Sequence, residues 1–407
     1  MPGMMWEDTV PTMNTHAASL DAVVADVAAA VGLAEGEAGI RDILAAVLTA
    51  EPVAVREISR LAELPVPIVA AACAELRKRG VVDKTRPVRL TPEGRAAVSA
   101  GQPDLDPACP ACAGRGVVIG AELAGLEREL EQVAAGAPVA RPELDQTHCT
   151  VATKLRRVLR LHAAHALAGQ RILLLGDDDL IAVAIAAFAA WSGHAGVVRR
   201  LAVADTDPDV LAWIGKQAGR SGVSVELVEH DLREPLPAAL TGGFDVVLTD
   251  PPYTVAGAEL FLSRAVAALA PEPGRHIFFS FGARRPEETA AVQLAIAQQG
   301  MAVRSLTPNF NEYVGAGVLG GTSHLYHLRS TAAASPLITG RYDGPLYTAD
   351  SRAAVLRPYK CASCAAVHEV GPGSQWPRIA DLQAAGCPQC AGTVFRPMPL
   401  QARGAAR

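Results

Sequence analysis

Three consecutive carboxylates, Asp177, Asp178 and Asp179, follow Gly176 in the stretch RILLLGDDD, and Asp250 opens the tetrapeptide Asp-Pro-Pro-Tyr that ends at Tyr253. Each acid stands where an apolar run, RILLLG or FDVVLTD, reaches its C-terminal end. Carboxylates gathered at one edge attract cations, and they raise one another's pKa, which lets one of them accept a proton near neutral pH. Displacement at carbon by an amine needs both properties. In such a site Asp250 accepts a hydrogen bond from the attacking amine, the two prolines fix the loop, and Tyr253 packs on the substrate face. Asp is also favoured at helix N-termini, which accounts for one or two residues of the triple and less readily for all three.

The elements that must position these residues alternate. RILLLG, RRLAVAD, VSVELVEHD, FDVVLTD and RHIFFSFGA read as strands separated by helical stretches, and MAVRSL and SHLYHLR form a final pair. This is the pattern of a doubly wound α/β sheet, with ligands bound at the carboxyl ends of its strands. The order matches class I adenosylmethionine-dependent (Rossmann-like) transferases. There Gly176 and Asp177 belong to the donor-binding first loop, Asp205 at the second strand end takes the ribose hydroxyls, and Asp231, followed by Leu232, sits near the adenine. Ordinary methyltransferases keep the first loop Gly-rich. Three carboxylates there oppose a donor carrying a carboxylate and favour one with only a protonated amine. Decarboxylated S-adenosylmethionine is such a donor, and its transferred group is an aminopropyl chain.

Asp-Pro-Pro-Tyr is also the signature of methyltransferases acting on exocyclic amino groups, so an amino-methyltransferase of nucleic acid or a small amine is the rival enzyme. A non-catalytic DNA-binding polyamine sensor is the third reading. Residues 171–330 carry 17 acids against 12 bases, a balance that repels DNA phosphate and attracts polycations.

GDDDL at 176–180, DLREPLP at 231–237, TDPPYT at 249–254 and NFNEY at 309–313 together resemble the branched-chain polyamine synthases, the N4-bis(aminopropyl)spermidine synthases of thermophilic archaea and bacteria. With an N-terminal winged helix, CPAC-x-GRG and LDQ at 144–146, the resemblance spans residues 40–330. It implies aminopropyl transfer from decarboxylated adenosylmethionine to the secondary amine of spermidine, a polyamine acceptor, a homodimer, and Asp178 or Asp179 as proton acceptor.

The flanks carry their own signals. Residues 1–18 read as a mobile tail, and 19–105 as a winged helix-turn-helix built from three helices, a hairpin and a last helix. Arg77, Lys78 and Arg79 end its third helix, but the N-terminal part of that helix, PIVAAACA, has almost nothing to hydrogen-bond to bases, so DNA contact is not favoured. In the 106–170 segment, Cys109 and Cys112 form a C-x-x-C knuckle followed by glycines. Two thiolates are half of a tetrahedral site. Cys149 and His148, a second subunit, or no metal at all remain open as its completion. Residues 331–357 read as a linker. In 358–400, Cys361-x2-Cys364, 22 residues and Cys387-x2-Cys390 spell a structural zinc ribbon. The branched-polyamine resemblance does not extend to that ribbon. No apolar run reaches the ~18 residues that span a bilayer. With no secretory signal and three C-x-x-C pairs, the cytoplasm is the expected location.

Overall fold

The computed structural model describes residues 15–99, 109–194, 197–315, 321–348, 357–371, 374–376 and 379–398. It divides into two compact units, 1–140 with 147–251 and 258–342 in the larger, and 141–146, 252–257 and 343–407 in the smaller.

The larger unit opens with five helices, α1 (Thr15–Val31), α2 (Gly36–Ala50), α3 (Val55–Leu61), α4 (Val66–Lys78) and α5 (Pro92–Val98). Bridges Val53–Val88 and Val82–Leu90 make the wing. Ile40, Ile43, Val47, Ile58, Val69 and Leu76 form its core, at the i, i+3, i+4 spacing that buries one helix face. The first helix starts at Thr15, inside the stretch read as a tail; residues 1–14 lie outside the described residues.

Helices α6 (Ala124–Ala135) and α7 (Val151–Ala163) lead into a seven-stranded sheet. Its strands are β1 (Arg171–Leu175), β2 (Arg200–Asp205), β3 (Glu226–Glu229), β4 (Val246–Thr249), β5 (His276–Phe281), β6 (Met301–Glu312) and β7 (Thr322–Ser330). They lie in the order β3-β2-β1-β4-β5-β7-β6, and β7 alone runs opposite to the other six. Helices α8 (Ile181–Trp191), α9 (Pro208–Arg220), α10 (Val255–Ala268) and α11 (Pro286–Gln298) make the crossovers. This is the class I adenosylmethionine-dependent transferase topology. The strand order reverses between β1 and β4, so the crevice at a topological switch point opens between their carboxyl ends, where the acids were expected. Strand β6 runs well beyond MAVRSL to Glu312, with register breaks at Val303/Ser305 and Thr307/Asn311. The second break carries NFNEY, and bulges of this kind re-aim side chains.

The stretch read as a linker is partly bound structure. Arg264, 1 % exposed, donates to the carbonyls of Ile338 and Gly340 at 2.8 and 2.7 Å, and Tyr342 N donates to Arg233 O at 2.8 Å. In the smaller unit, Thr254 Oγ1 donates to Leu346 O at 3.1 Å and Thr348 N to Asp145 Oδ2 at 2.6 Å, so this segment is pinned to both the LDQ and the DPPYT loops. Partners far along the chain hold its backbone.

The smaller unit ends in a three-stranded sheet of order β10-β8-β9, from β8 (Arg357–Cys361), β9 (Val367–Val370) and β10 (Phe395–Pro397), with helix α12 (Ile379–Ala385). Cys361, Val370, Leu382, Cys387 and Phe395 are its small core. Among the described residues no helix is long and apolar enough to cross a membrane.

Candidate active site

Gly176 leaves β1 with φ +73°, a left-handed conformation that only glycine adopts without strain. The three acids that follow point in three directions. Asp177 turns inward, and its carboxylate accepts from the N–H groups of Ile181 and Ala182 at 2.7 and 2.9 Å. It therefore anchors the start of α8, and its carboxylate is not presented to a donor as the sequence reading had it. Asp179 is 3 % exposed; it accepts from Cys149 N at 2.5 Å and pairs with Arg157 Nη1 at 2.8 Å. Asp178 is the only one of the three that keeps part of its surface open, and its Oδ2 accepts from Thr147 N at 2.9 Å. His148 braces the same turn, with Nδ1 2.7 Å from Asp178 O and Nε2 2.8 Å from Pro138 O.

Asp205 closes β2 and ties two loops together, accepting from Asp177 N and Asp207 N at 2.8 Å each. The backbone N–H of Thr206 bonds the same carboxylate. Asp231 is exposed and accepts from Arg233 N at 2.9 Å, while Leu232 is buried and its carbonyl is held by Arg264 Nε at 2.9 Å.

Asp250 follows β4, which is fastened to β1 where Thr249 Oγ1 donates to Leu175 O at 2.9 Å. Its Oδ2 accepts from Arg157 Nη2 at 2.8 Å and from the Tyr313 hydroxyl at 2.5 Å. Arg157 Nε donates to Asn311 Oδ1 at 2.8 Å, and Asn311 Nδ2 reaches the hydroxyls of Ser280 and Ser323 at 3.1 and 2.9 Å. A buried network thus joins β1, β4, β5, β6 and β7 to α7. Asp179 and Asp250 are members of it, and Asp178 lies near enough to feel the charges of Asp179, Asp205 and Asp250. Tyr253 is half-buried and belongs to the smaller unit.

The electrostatics separate these acids. Burial opposes ionisation of Asp179, but Arg157 and then Lys154 outweigh it and hold its pKa below the usual carboxylate value. Burial, then the charges of Asp179, Asp205 and Asp250, push Asp178 well above that value. Burial also raises Asp250, with Arg157 opposing. The site therefore holds one firmly ionised acid next to one poised to take a proton, the separation that acid–base chemistry uses.

Sequence reasoning missed Arg157, Asn311 and Tyr313 as members of this network. Arg157 sits among basic neighbours in KLRRVLRLH, a stretch that reads as solvated, yet it lies one helical turn before the buried Leu161. That register was the available signal. NFNEY was noted as a motif, but its direction depends on the bulge.

At the ribbon, the sulfurs of Cys361, Cys364, Cys387 and Cys390 lie within 4.8 Å of one another, with 3.6 Å between Cys361 and Cys390 and 3.5 Å between Cys364 and Cys387. A tetrahedron of ~2.3 Å zinc–sulfur bonds has edges near 3.8 Å, so the donors fit zinc. His368 Nε2 lies 3.3 Å from Cys387 Sγ, placed to donate to a thiolate. Cys149 and His148 do not complete the Cys109–Cys112 pair. Cys149 is buried with its sulfur 3.6 Å from Lys154 Nζ, and both His148 nitrogens are engaged with carbonyls.

Fold and site define a class I adenosylmethionine-type transferase domain with an acidic, cation-accepting cleft. The family model of the branched-chain polyamine synthase A C-terminal domain matches residues 126–330, and the chain belongs to that family. The N(4)-bis(aminopropyl)spermidine synthase of Thermococcus kodakarensis is 31% identical over 63% of this chain and 73% of its own length. An uncharacterised protein of Methanocaldococcus jannaschii is 30% identical over 91% of both chains. The crystal structure of the branched-chain polyamine synthase from Thermus thermophilus, in complex with N4-aminopropylspermidine and 5'-methylthioadenosine, superposes with a TM-score of 0.64 at 25% identity, covering 81% of this chain and 98% of the other.

Proposed function

We propose that this enzyme transfers aminopropyl groups from decarboxylated S-adenosylmethionine to an amine nitrogen of a polyamine such as spermidine, giving branched polyamines. The observation that carries this reading is the convergence of Asp178, Asp179, Asp205 and Asp250 on one buried edge with a single guanidinium, Arg157, between two of them. A net-negative pocket suits a cationic donor and a cationic acceptor held together.

The lone pair of the acceptor nitrogen attacks the methylene carbon bonded to the donor's sulfonium. The carbon–sulfur bond breaks, its electron pair stays on sulfur, and neutral 5'-methylthioadenosine leaves. The proton released from nitrogen passes to the Asp178 carboxylate. Asp250, oriented by Arg157 and Tyr313, accepts a hydrogen bond from the attacking amine. Asp205 takes the ribose hydroxyls, and Asp231 with Leu232 borders the adenine. Cys361, Cys364, Cys387 and Cys390 hold a structural zinc.

The winged helix serves the catalytic unit in this reading, not DNA. Two of its basic residues are engaged with Glu75, at 2.6 Å from Lys78 and 2.6 Å from Arg79, and Arg60 O accepts from Asn309 Nδ2 at 2.8 Å beside the β6 bulge. Free thiols throughout suit a cytoplasmic enzyme.

A mass-spectrometric competition tests the reaction, with spermidine offered equal amounts of decarboxylated and intact adenosylmethionine. The expected product is heavier by aminopropyl units. A methylated product would overturn the reading.

A further inference from the structure

The exposed turn Cys109–Gly116 repeats the construction of the ribbon's two knuckles. In each, the residue after the second cysteine is an alanine held left-handed, with φ +48° at Ala113, +63° at Ala365 and +57° at Ala391. Its N–H closes on the carbonyl of the first cysteine, at 2.8 Å for Ala113 to Cys109, 3.1 Å for Ala365 to Cys361 and 2.7 Å for Ala391 to Cys387. Backbone N–H groups of Ala111 and Cys112 hydrogen-bond the Cys109 sulfur, as those of Ser363 and Cys364 do the Cys361 sulfur. A left-handed alanine is costly, of order 1 kcal/mol or more, and recurs where surrounding structure enforces it. The turn is thus built for a thiolate pair before any metal arrives.

The knuckle is also firmly mounted. Arg115 donates to Asn309 O and Glu312 Oε1, both at 3.0 Å, and Arg160 Nη2 grips Arg115 O at 2.7 Å. Its thiols face outward: Cys109 is exposed and Cys112 half-buried. Among the described residues, the ribbon cysteines are the only group of three or more ligand side chains placed to hold a metal, so this pair finds no third ligand among them.

We propose that Cys109 and Cys112 are half of a zinc site completed by the same knuckle of a second copy, with four thiolates around one ion on a two-fold axis. An isologous contact brings a residue against its own counterpart, so two identical dithiol turns supply the four ligands that a closed tetrahedral zinc needs.

The test is zinc content per chain in the full-length protein, zinc-loaded and then freed of excess metal, against the Cys109→Ser/Cys112→Ser and Cys387→Ser/Cys390→Ser variants. Expected are about 1.5 zinc per wild-type chain, about 1.0 in the knuckle variant and about 0.5 in the ribbon variant, from four ligands per ion. A full equivalent lost with the knuckle would mean that one chain completes the site. No loss would mean a dithiol that holds no metal. Either overturns the proposal. Cobalt substitution separates a shared site from a half-filled open one. The thiolate-to-cobalt absorption lost per cobalt should equal that of the four-cysteine ribbon, and a value half as large overturns sharing.

Discussion

Arg157 spans two strand ends to reach Asp250: its Nη2 lies 2.8 Å from Asp250 Oδ2 while Nη1 of the same guanidinium lies 2.8 Å from Asp179. Asp179 follows β1 and Asp250 follows β4, so this one cation sets the separation of the two acids across the switch point. The planar fork permits it, since its three nitrogens reach Asn311, Asp179 and Asp250 at once, with the Tyr313 hydroxyl 3.2 Å from Nη2 as well. Arg157→Lys keeps the charge and loses the fork. Turnover should fall about 100-fold, the scale of a misplaced reacting group, with the fold retained by circular dichroism. Near-wild-type kcat would mean that charge alone, without geometry, is what Arg157 supplies.

Asp178→Asn keeps a side-chain oxygen able to accept from Thr147 N and removes the proton acceptor. A positioned general base is worth about 100- to 10,000-fold, so kcat should drop by that much with the donor KM little changed. Single-turnover kinetics with saturating donor reads the chemical step directly. Unaltered rates would assign proton acceptance elsewhere, with Asp250 the next candidate.

The raised pKa of Asp178 has two consequences of opposite sense. A base must be ionised, so activity should fall as pH drops through a pKa lying above the ordinary value near 4. Asp250 is one of the charges that raise it, so in the residual activity of Asp250→Asn the acid limb of kcat should move to lower pH. Stability runs the other way. A carboxyl with a raised folded pKa favours the fold while protonated, and that contribution is lost as pH rises through the folded value. At neutral pH Asp178→Asn should therefore melt no lower than wild type, and thermal scans across pH would expose the opposite trend.

How much of this was legible beforehand follows from what one sequence can encode. The apolar runs located all seven strands, and the acids Asp177–Asp179 and Asp250 fall where β1 and β4 end. What three adjacent, chemically identical residues do was not legible. Asp177 anchors a helix, Asp178 keeps part of its surface open and Asp179 pairs with Arg157 because a single turn rotates each to a different side. Periodicity also treats a charged residue on a helix as solvent-facing, so Arg157 and Arg264 needed their partners to be known. Arg264, the one basic residue in the mostly apolar AELFLSRAVAALA, was the plainer clue. The pinned segment after β7 gave none, because the donor that holds it lies more than seventy residues upstream.

Arg264 makes the last prediction. Its guanidinium feeds four backbone carbonyls, Leu232 and Arg233 at 2.9 and 3.0 Å and Ile338 and Gly340 at 2.8 and 2.7 Å. It therefore clamps the loop after β3 to the segment following β7. Arg264→Met matches the length and apolar stem but orphans all four acceptors. Leaving a buried polar group unpaired costs about 1–3 kcal/mol, and some of the carbonyls will find water, so a net destabilisation of about 3–5 kcal/mol is expected by denaturant titration. If Asp231 and Leu232 border the adenine as proposed, loosening their loop should raise the KM for the donor by about tenfold, equivalent to about 1.4 kcal/mol, and leave the KM for spermidine nearly unchanged. Equal changes in both constants would point to general loosening of the site. A stability loss with the donor KM intact would remove the Asp231–Leu232 loop from donor recognition and leave Arg264 a purely structural clamp.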